Sequence, residues 1–347
     1  MTGSQSDIAR RRFLALGAGG VAAALAGRSA PAQSTPKPEV VRIGVLTAAR
    51  AWTVGRFDGS FEKALGTKVE WVSFPAGGPA LTLLAAKQID FAIFGNTPIV
   101  AGIARKLPIQ LLGSPEIVAT SERLIAKPGI ATLKDLEGKR IAVAPSSTMA
   151  FALEAAIRIN KLDGGKIKRL PLTQPDTIAA WKRGDIDATY INGPFWGELL
   201  ADGGHQLLVS EQLQQDGVFV WNSAVVRAEF ADAYPDTVVA WLHAVQAQIE
   251  RYKADPDAVA RILAQNYGAP FEAVRDTLAG LRYPSFQEQL GPKYWGDAAT
   301  AKDAPLIKAL GDAAKFLADT GELKPDSIPE SFVPLVNYAL LRKAFPA

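Results

Sequence analysis

Lys87-Gln88-Ile89-Asp90-Phe91-Ala92-Ile93-Phe94-Gly95-Asn96-Thr97-Pro98 returns in altered form as Gly184-Asp185-Ile186-Asp187-Ala188-Thr189-Tyr190-Ile191-Asn192-Gly193-Pro194. In each copy an Ile-Asp pair opens a short apolar run that reads as a buried strand, and Asn and Pro follow where a helix should begin. Asp187 stands 97 positions after Asp90 (187 less 90). That interval is too wide for a solenoid repeat and suits two similar α/β lobes, which together make a cleft. Pro at the first helical position gives up an N–H that lacks a helical partner anyway. The neighbouring free N–H groups and the positive end of the helix dipole then point outward, an arrangement that holds anions.

The same alternation extends in both directions. Strands are expected over 40–46, 68–74, 91–94 and 109–112, with helices over 55–65 and 77–87 and a further helix opened by Thr97-Pro98. A second unit begins after a strand over 124–126. It has a strand over 141–143, a helix capped by Ser146-Ser147-Thr148 and running to 159, a strand over 170–172, a helix over 176–183 closed by Gly184, and the repeat strand over 189–192. A strand over 218–226 reads as the return to the first lobe, followed by helices over 235–254, 256–267, 271–281 and 304–320 packed around its outside. Alternating strands and helices imply mainly parallel sheets flanked by helices.

At the N-terminus, Arg10-Arg11-Arg12-Phe13-Leu14 fits the twin-arginine pattern R-R-x-F-L, a weakly apolar Gly/Ala-rich stretch covers 16–26, and Ala30-Pro31-Ala32 follows. We read residues 1–32 as a Tat-type export signal, which places the product in the periplasm, and the polar, Pro-rich residues 33–39 as a disordered lead-in. The apolar stretch falls short of the ~20 residues needed to span a bilayer. Gly17-Ala18-Gly19-Gly20-Val21-Ala22 mimics a dinucleotide-binding G-x-G-x-x-A, but three arginines precede it where a strand is required.

Removing 32 of the 347 residues leaves 315 (347 less 32), enough for full cores. The formal charge of +3 includes arginines of the signal, and basic residues elsewhere are scattered, which argues against nucleic acid. The 0 cysteines exclude disulfides, thiolate metal sites and a lipidated Cys tether. No cofactor is called for, and the processed chain is expected to be a monomer resting on its own core.

The passages over 68–113, Ser121-Glu122, Asp135-Leu136-Glu137-Gly138-Lys139-Arg140-Ile141-Ala142-Val143, Ile178-Ala179-Ala180-Trp181-Lys182-Arg183-Gly184-Asp185-Ile186-Asp187-Ala188 and Val225-Val226-Arg227 resemble the periplasmic taurine-binding proteins of the nitrate/sulfonate/taurine ABC importers. The resemblance runs over nearly all of the processed chain. It implies a two-lobed type II periplasmic-binding-protein fold, with lobe I over 40–121 and 225–347, lobe II over 122–224, and a ligand held as the lobes hinge shut. It also implies a membrane permease as partner and a small sulfonate as ligand. Nitrate, sulfate esters, a sensor role and an enzyme on the same fold stand as alternatives. The enzyme is disfavoured because no His, Cys or close carboxylate pair falls at the cleft turns.

Ligands in such folds lie beyond the carboxyl ends of the strands. Four helix starts face that region: Gly77-Gly78, Gly95-Asn96-Thr97, Ser146-Ser147-Thr148 and Asn192-Gly193. A sulfonate presents three acceptor oxygens, so Gly77, Gly78, Asn96, Thr97, Ser147, Thr148 and Asn192 are the expected ligand contacts, with Trp52 and Trp221 as cleft walls. For each turn the bland alternative is ordinary helix capping. Arg50 and Arg123 also fall near the cleft, where either meets the anion or pairs with Glu122 or solvent. Asp90 and Asp187 stand at strand starts, the end of the sheet away from the cleft, and read as turn partners. His205 and His243 lack spaced partners for a metal or a triad.

One departure from the family bears on the ligand. The resemblance puts Asn222 where an Asp would take an ammonium, and Asn is neutral. This implies an oxyanion ligand with an uncharged tail, unless another acid such as Glu116 or Glu122 reaches in.

Overall fold

The computed structural model describes residues 36–297 and 300–346; the expected signal over 1–32 lies outside them. The strands run, in chain order, β1 (Val40–Leu46), β2 (Lys68–Phe74), β3 (Phe91–Gly95), β4 (Ile109–Leu111), β5 (Glu116–Val118), β6 (Glu122–Ala126), β7 (Arg140–Val143), β8 (Lys168–Pro171), β9 (Ala188–Asn192), β10 (His205–Val209), β11 (Trp221–Arg227) and β12 (Leu281–Arg282). They form two sheets. The first has the order β12-β5-β11-β3-β1-β2 with β4 also beside β11, and the second β10-β6-β9-β7-β8. In the first, β2, β1 and β3 are parallel and β11 is antiparallel to β3. In the second, β8, β7 and β9 are parallel and β6 is antiparallel to β9. The internal echo in the sequence is therefore an echo of topology.

The repeated strands form because their side chains are apolar on both faces. Phe91 to Phe94 of β3 and Ala188 to Ile191 of β9 are all buried, as expected for strands covered by helices on each side. Each Ile-Asp pair anchors its strand to the next. Asp90 Oδ2 accepts the Arg42 N–H at 2.8 Å and Asp187 Oδ2 accepts the Arg140 N–H at 2.8 Å. The helices Pro235–Ala254 and Pro256–Tyr267 open on Pro, and Asp255 caps the second by accepting the Ala258 N–H at 2.9 Å. They back the first sheet, where the Trp241 ring stacks on Phe91 with centroids 4.4 Å apart. The helix Pro305–Asp319 packs on Asn96–Ala104, and its Phe316 ring meets Phe151 of the second lobe at 5.4 Å.

Three expectations change. The helix expected over 55–65 is a 3-10 helix, Ala51–Phe57, and a short α-helix, Ser60–Leu65, separated because Gly59 takes φ 71° and turns the chain between them. The return to the first sheet falls between Val209 and Trp221, ahead of the expected 224/225 boundary, because Trp221 and Asn222 already pair with β5. Within the lead-in over 33–39, Pro38 is buried, and the Thr67 hydroxyl donates to the carbonyls of Pro38 at 2.7 Å and Glu39 at 2.9 Å, which fixes the chain ahead of β1. The strands β5, β10 and β12 and the helices Phe195–Ala201 and Tyr338–Ala344 were not anticipated. Among the described residues no helix is long and apolar enough to cross a membrane, and no group of His, Asp or Glu is placed to hold a metal.

Candidate functional site

Strand direction gathers the site. The carboxyl ends of β1 and β3 and the starting end of antiparallel β11 come together in the first lobe, and the carboxyl ends of β7 and β9 and the start of β6 in the second. Asn222 lies opposite Gly95 on one side and Glu116 on the other. Glu122 lies opposite Asn192. The two groups touch at Gly95: a Cβ there would stand 2.6 Å from Thr148 Cγ2, so only glycine lets the helix Thr148–Ile159 of one lobe come this close to β3 of the other.

In the first lobe Arg50 and Glu116 are both buried, with 7% and 1% of their side chains exposed, and Arg50 Nε lies 3.6 Å from Glu116 Oε2. That is ion-pair range but beyond a hydrogen bond. Asn222 Nδ2 donates to Glu116 Oε2 at 2.8 Å. Arg50 Nε and Glu116 Oε1 have no hydrogen-bond partner in the protein. Desolvation pushes the Glu116 carboxyl above its ordinary range, with Arg50 and Asn222 pulling it partly back. At the start of the helix Asn96–Ala104, Asn96 and Thr97 are fully buried, and Asn96 Nδ2 and Thr97 Oγ1 also lack partners. Asn96 Oδ1 accepts the Trp221 N–H at a long 3.5 Å.

In the second lobe Thr148 Oγ1 donates to Glu122 Oε1 at 2.6 Å, while Glu122 Oε2 and Asn192 Oδ1 are unpartnered. Burial pushes Glu122 up to about 7, against the opposing pull of Thr148 and of the Arg50 guanidinium across the cleft. Buried polar atoms are normally satisfied, each orphan costing about 1–3 kcal/mol. A cluster of orphans drawn from both lobes, with donors and acceptors among them, is the set of unspent groups that a polar ligand would complete.

The structure thus brings Asn96, Thr97, Thr148, Asn192 and Asn222 into one region, and adds Arg50, Glu116 and Glu122. Ser147 is spent on its own helix: its hydroxyl donates to the Ala144 carbonyl at 2.6 Å and accepts the Ala150 N–H at 3.1 Å, the bland capping role. Gly77 is pressed on Pro98, where a Cβ would meet Cγ at 2.3 Å, and Gly78 is exposed with nothing within 4 Å of its Cβ position. Trp52 is buried against Phe61 and Trp71, with ring centroids 6.2 and 6.1 Å away, and Trp221 against Trp295 at 6.1 Å, so both sit in the core of the first lobe. Arg123 is committed elsewhere, with Nε donating to the Thr120 carbonyl at 2.8 Å and the guanidinium 3.7 Å from the centre of the Trp196 ring. An acid does reach Asn222, since Glu116 accepts its amide N–H. Arg50 and Glu116 carry a sequence signal of their own, as single charges in the apolar stretches Ala48-Ala49-Arg50-Ala51-Trp52 and Pro115-Glu116-Ile117-Val118.

An open groove of about 680 Å³ lies elsewhere, between the helices Thr148–Ile159 and Pro305–Asp319. Charges of both signs line it, its Glu154 is paired with Arg169 Nη2 at 2.8 Å, and none of the buried unpartnered atoms of the cleft belongs to its lining.

Residues 34–266 match the model of the NMT1-like family. The taurine-binding periplasmic protein of Escherichia coli (strain K12) is 32% identical, over 82% of this chain and 87% of its own length. The alkanesulfonate-binding protein from Xanthomonas axonopodis pv. citri, solved bound to MOPS, superposes with a TM-score of 0.71 at 24% identity, covering 87% of this chain and 99% of its own. A desulfurization enzyme shares the fold at 15% identity, with a TM-score of 0.62 over 88% of this chain and 99% of its own.

Proposed function

This chain belongs to the NMT1-like family, and from that premise we propose that it is the exported solute-binding protein of an ABC importer, capturing a small organosulfonate between its lobes for a membrane permease. One observation carries the reading: the orphaned donors Arg50 Nε, Asn96 Nδ2 and Thr97 Oγ1 are fully or nearly buried on segments that converge around Asn222, which faces Arg50's partner Glu116 on one side and Gly95, next to Asn96, on the other. A sulfonate has three acceptor oxygens for such donors, and the start of the helix Asn96–Ala104 adds favourable dipole. Enclosure between lobes lowers the effective dielectric and strengthens each contact.

A binding role rather than catalysis is supported by the binding proteins among its relatives and by the residues themselves. The ring nitrogens of His205 and His243 engage the carbonyls of Ile130 and Ala344, each at 2.7 Å, and neither joins the cleft cluster. Export to the periplasm is supported by the twin-arginine pattern Arg10-Arg11-Arg12-Phe13-Leu14 and by the periplasmic relative.

The test is a thermal-shift screen of the processed protein against taurine, ethanesulfonate, sulfate and nitrate. A ligand at 100 times its Kd stabilises the folded state by about 2.7 kcal/mol. A sulfonate is expected to raise the Tm. A response to nitrate alone, or to none of the four, overturns the proposal.

A further inference from the structure

We propose that Phe316 and Glu322 of the first lobe form a latch on Phe151 and Ser146 of the second, and that its closing seats Thr148 in the cleft, so that sulfonate affinity is set in part by residues that touch no ligand. The inference rests on the sulfonate-binding reading above and adds positioning residues to it.

The latch begins with a rigid arm. The helix Pro305–Asp319 packs on Asn96–Ala104 and so belongs with the first lobe. Past its end Gly321 takes φ 77°, and the N–H groups of Glu322 and Leu323 both donate to the Leu317 carbonyl, at 2.8 and 2.9 Å. These bonds close the helix and, with Leu323 buried behind it, fix the base from which the exposed Glu322 side chain projects. Glu322 Oε2 accepts the Ser146 hydroxyl of the second lobe. Further back on the same helix, the Phe316 ring meets Phe151 at 5.4 Å and 61°, an edge-on contact.

Ser146 is where the latch acts. Its φ of 50° lies in the left-handed region, which a residue with a Cβ occupies at a cost. Among the described residues, the other non-glycine positions with positive φ are Lys87, Lys106 and Lys161, each just past the end of a helix, where such a turn closes the helix. Ser146 instead stands ahead of one. The next residue, Ser147, caps the helix Thr148–Ile159, and Thr148 donates to Glu122 and abuts Gly95. Latch, cap and cleft group are therefore consecutive residues, and a shift at Ser146 is carried by the cap to Thr148. The groove of about 680 Å³ is bordered by both phenylalanines, which gives the two helices room to part and return as the lobes hinge.

A contact made only in the binding-competent arrangement raises the fraction of protein in it, and raises apparent affinity by the same factor for every ligand. A residue that touches ligand discriminates between ligands instead.

The chain has 0 cysteines, so Ser146→Cys with Glu322→Cys introduces a single thiol pair that a short bis-maleimide can join when the latch is closed. Saturating taurine or ethanesulfonate should speed this cross-linking by about threefold or more. Phe316→Ala and Glu322→Ala should each weaken both sulfonates by one common factor, about two- to tenfold, chiefly through faster release. Glu322→Gln keeps an acceptor for Ser146 and should stay near the parent. Cross-linking that the sulfonates leave unchanged or slow overturns the inference, as do affinities unaltered in both alanine variants or altered unequally for the two ligands; sulfonate binding by the parent then stands. Failure of the parent to bind either sulfonate overturns the sulfonate reading and this inference with it. Should Phe316→Ala not fold, as judged by melting, the cross-linking rates and the exposed Glu322 decide by themselves.

Discussion

Asp90 Oδ2 accepts the backbone N–H of Arg42 at 2.8 Å, and the Asp90 N–H donates to the Arg42 carbonyl at 2.7 Å, so one residue clamps the start of β3 to β1 from both sides. Asp187 repeats the clamp on Arg140, accepting its N–H at 2.8 Å and donating to its carbonyl at 2.9 Å. The flanking cations differ in origin. Asp90 Oδ1 accepts from Arg227 of β11 at 2.6 Å, whereas Asp187 Oδ1 accepts from Arg140 itself at 2.8 Å.

That difference sets the cost of losing each carboxylate. Asp90 is 2% and Arg227 14% exposed, against 25% and 40% for Asp187 and Arg140. Asp90→Asn leaves a largely buried guanidinium with only the exposed Glu229 carboxylate, 3.4 Å from Nη1, as counter-charge and is expected to cost about 3 kcal/mol. Asp187→Asn breaks an exposed pair and should cost about 1 kcal/mol or less. Urea unfolding reads both, and sulfonate affinity should hold in each folded variant because the clamps lie at the far ends of the strands. Equal losses would show that burial does not distinguish them.

Thr97 and Ser147 should separate binding from capping. Thr97 Oγ1 is buried without a partner, so Thr97→Ala is expected to weaken sulfonate binding by about 1–3 kcal/mol with a smaller change in the empty protein's Tm. Ser147 caps its own helix, so Ser147→Ala should lower stability by about 1 kcal/mol and leave affinity nearly intact. Titration calorimetry alongside melting curves checks both. The reverse pattern would move the anion to the second lobe.

Glu122 gives stability a definite pH slope. Its carboxyl is raised from 4.5 to about 7 in the folded state. The native state therefore holds a proton that the unfolded chain has released, and the associated stability is complete below pH 4.5 and lost as pH rises through 7. The full loss is on the order of 3 kcal/mol. Glu116, raised by the same desolvation, works in the same direction. Glu122→Gln should flatten the decline between these limits without abolishing it. A parent whose stability stays level from about pH 5 to about pH 8 would refute the assignment.

Export depends on the N-terminal arginines in our reading. The double change Arg10→Lys, Arg11→Lys should leave unprocessed precursor in the cytoplasm, visible as a larger band on fractionation. Normal processing in a host lacking the Tat machinery would contradict this.

How much of this was legible beforehand varied with the range of the forces involved. The strands β1 and β2 and the helices Pro235–Ala254 and Pro256–Tyr267 lie where periodicity and punctuation place them, because apolar runs, Pro starts and Asp caps act over a few residues. The two-residue strand β12 carries no such signal; it exists because β5 offers it an edge. Ser147 looked like an anion ligand because capping and ligation use the same hydroxyl, and only its bonds to Ala144 and Ala150 assign it.

By itself the sequence determined the two-lobe α/β architecture and the family, because the Ile-Asp strand pattern and its recurrence after 97 residues are local facts repeated. Tertiary structure alone decided which charges face one another. Arg50, Glu116 and Asn222 lie on three separate stretches of chain, and their meeting depends on β11 running antiparallel between β3 and β5, which sets Asn222 against Glu116. Coulomb and hydrogen-bond energies depend on ångström distances at low dielectric, and such distances between residues remote in sequence come only from the packed fold.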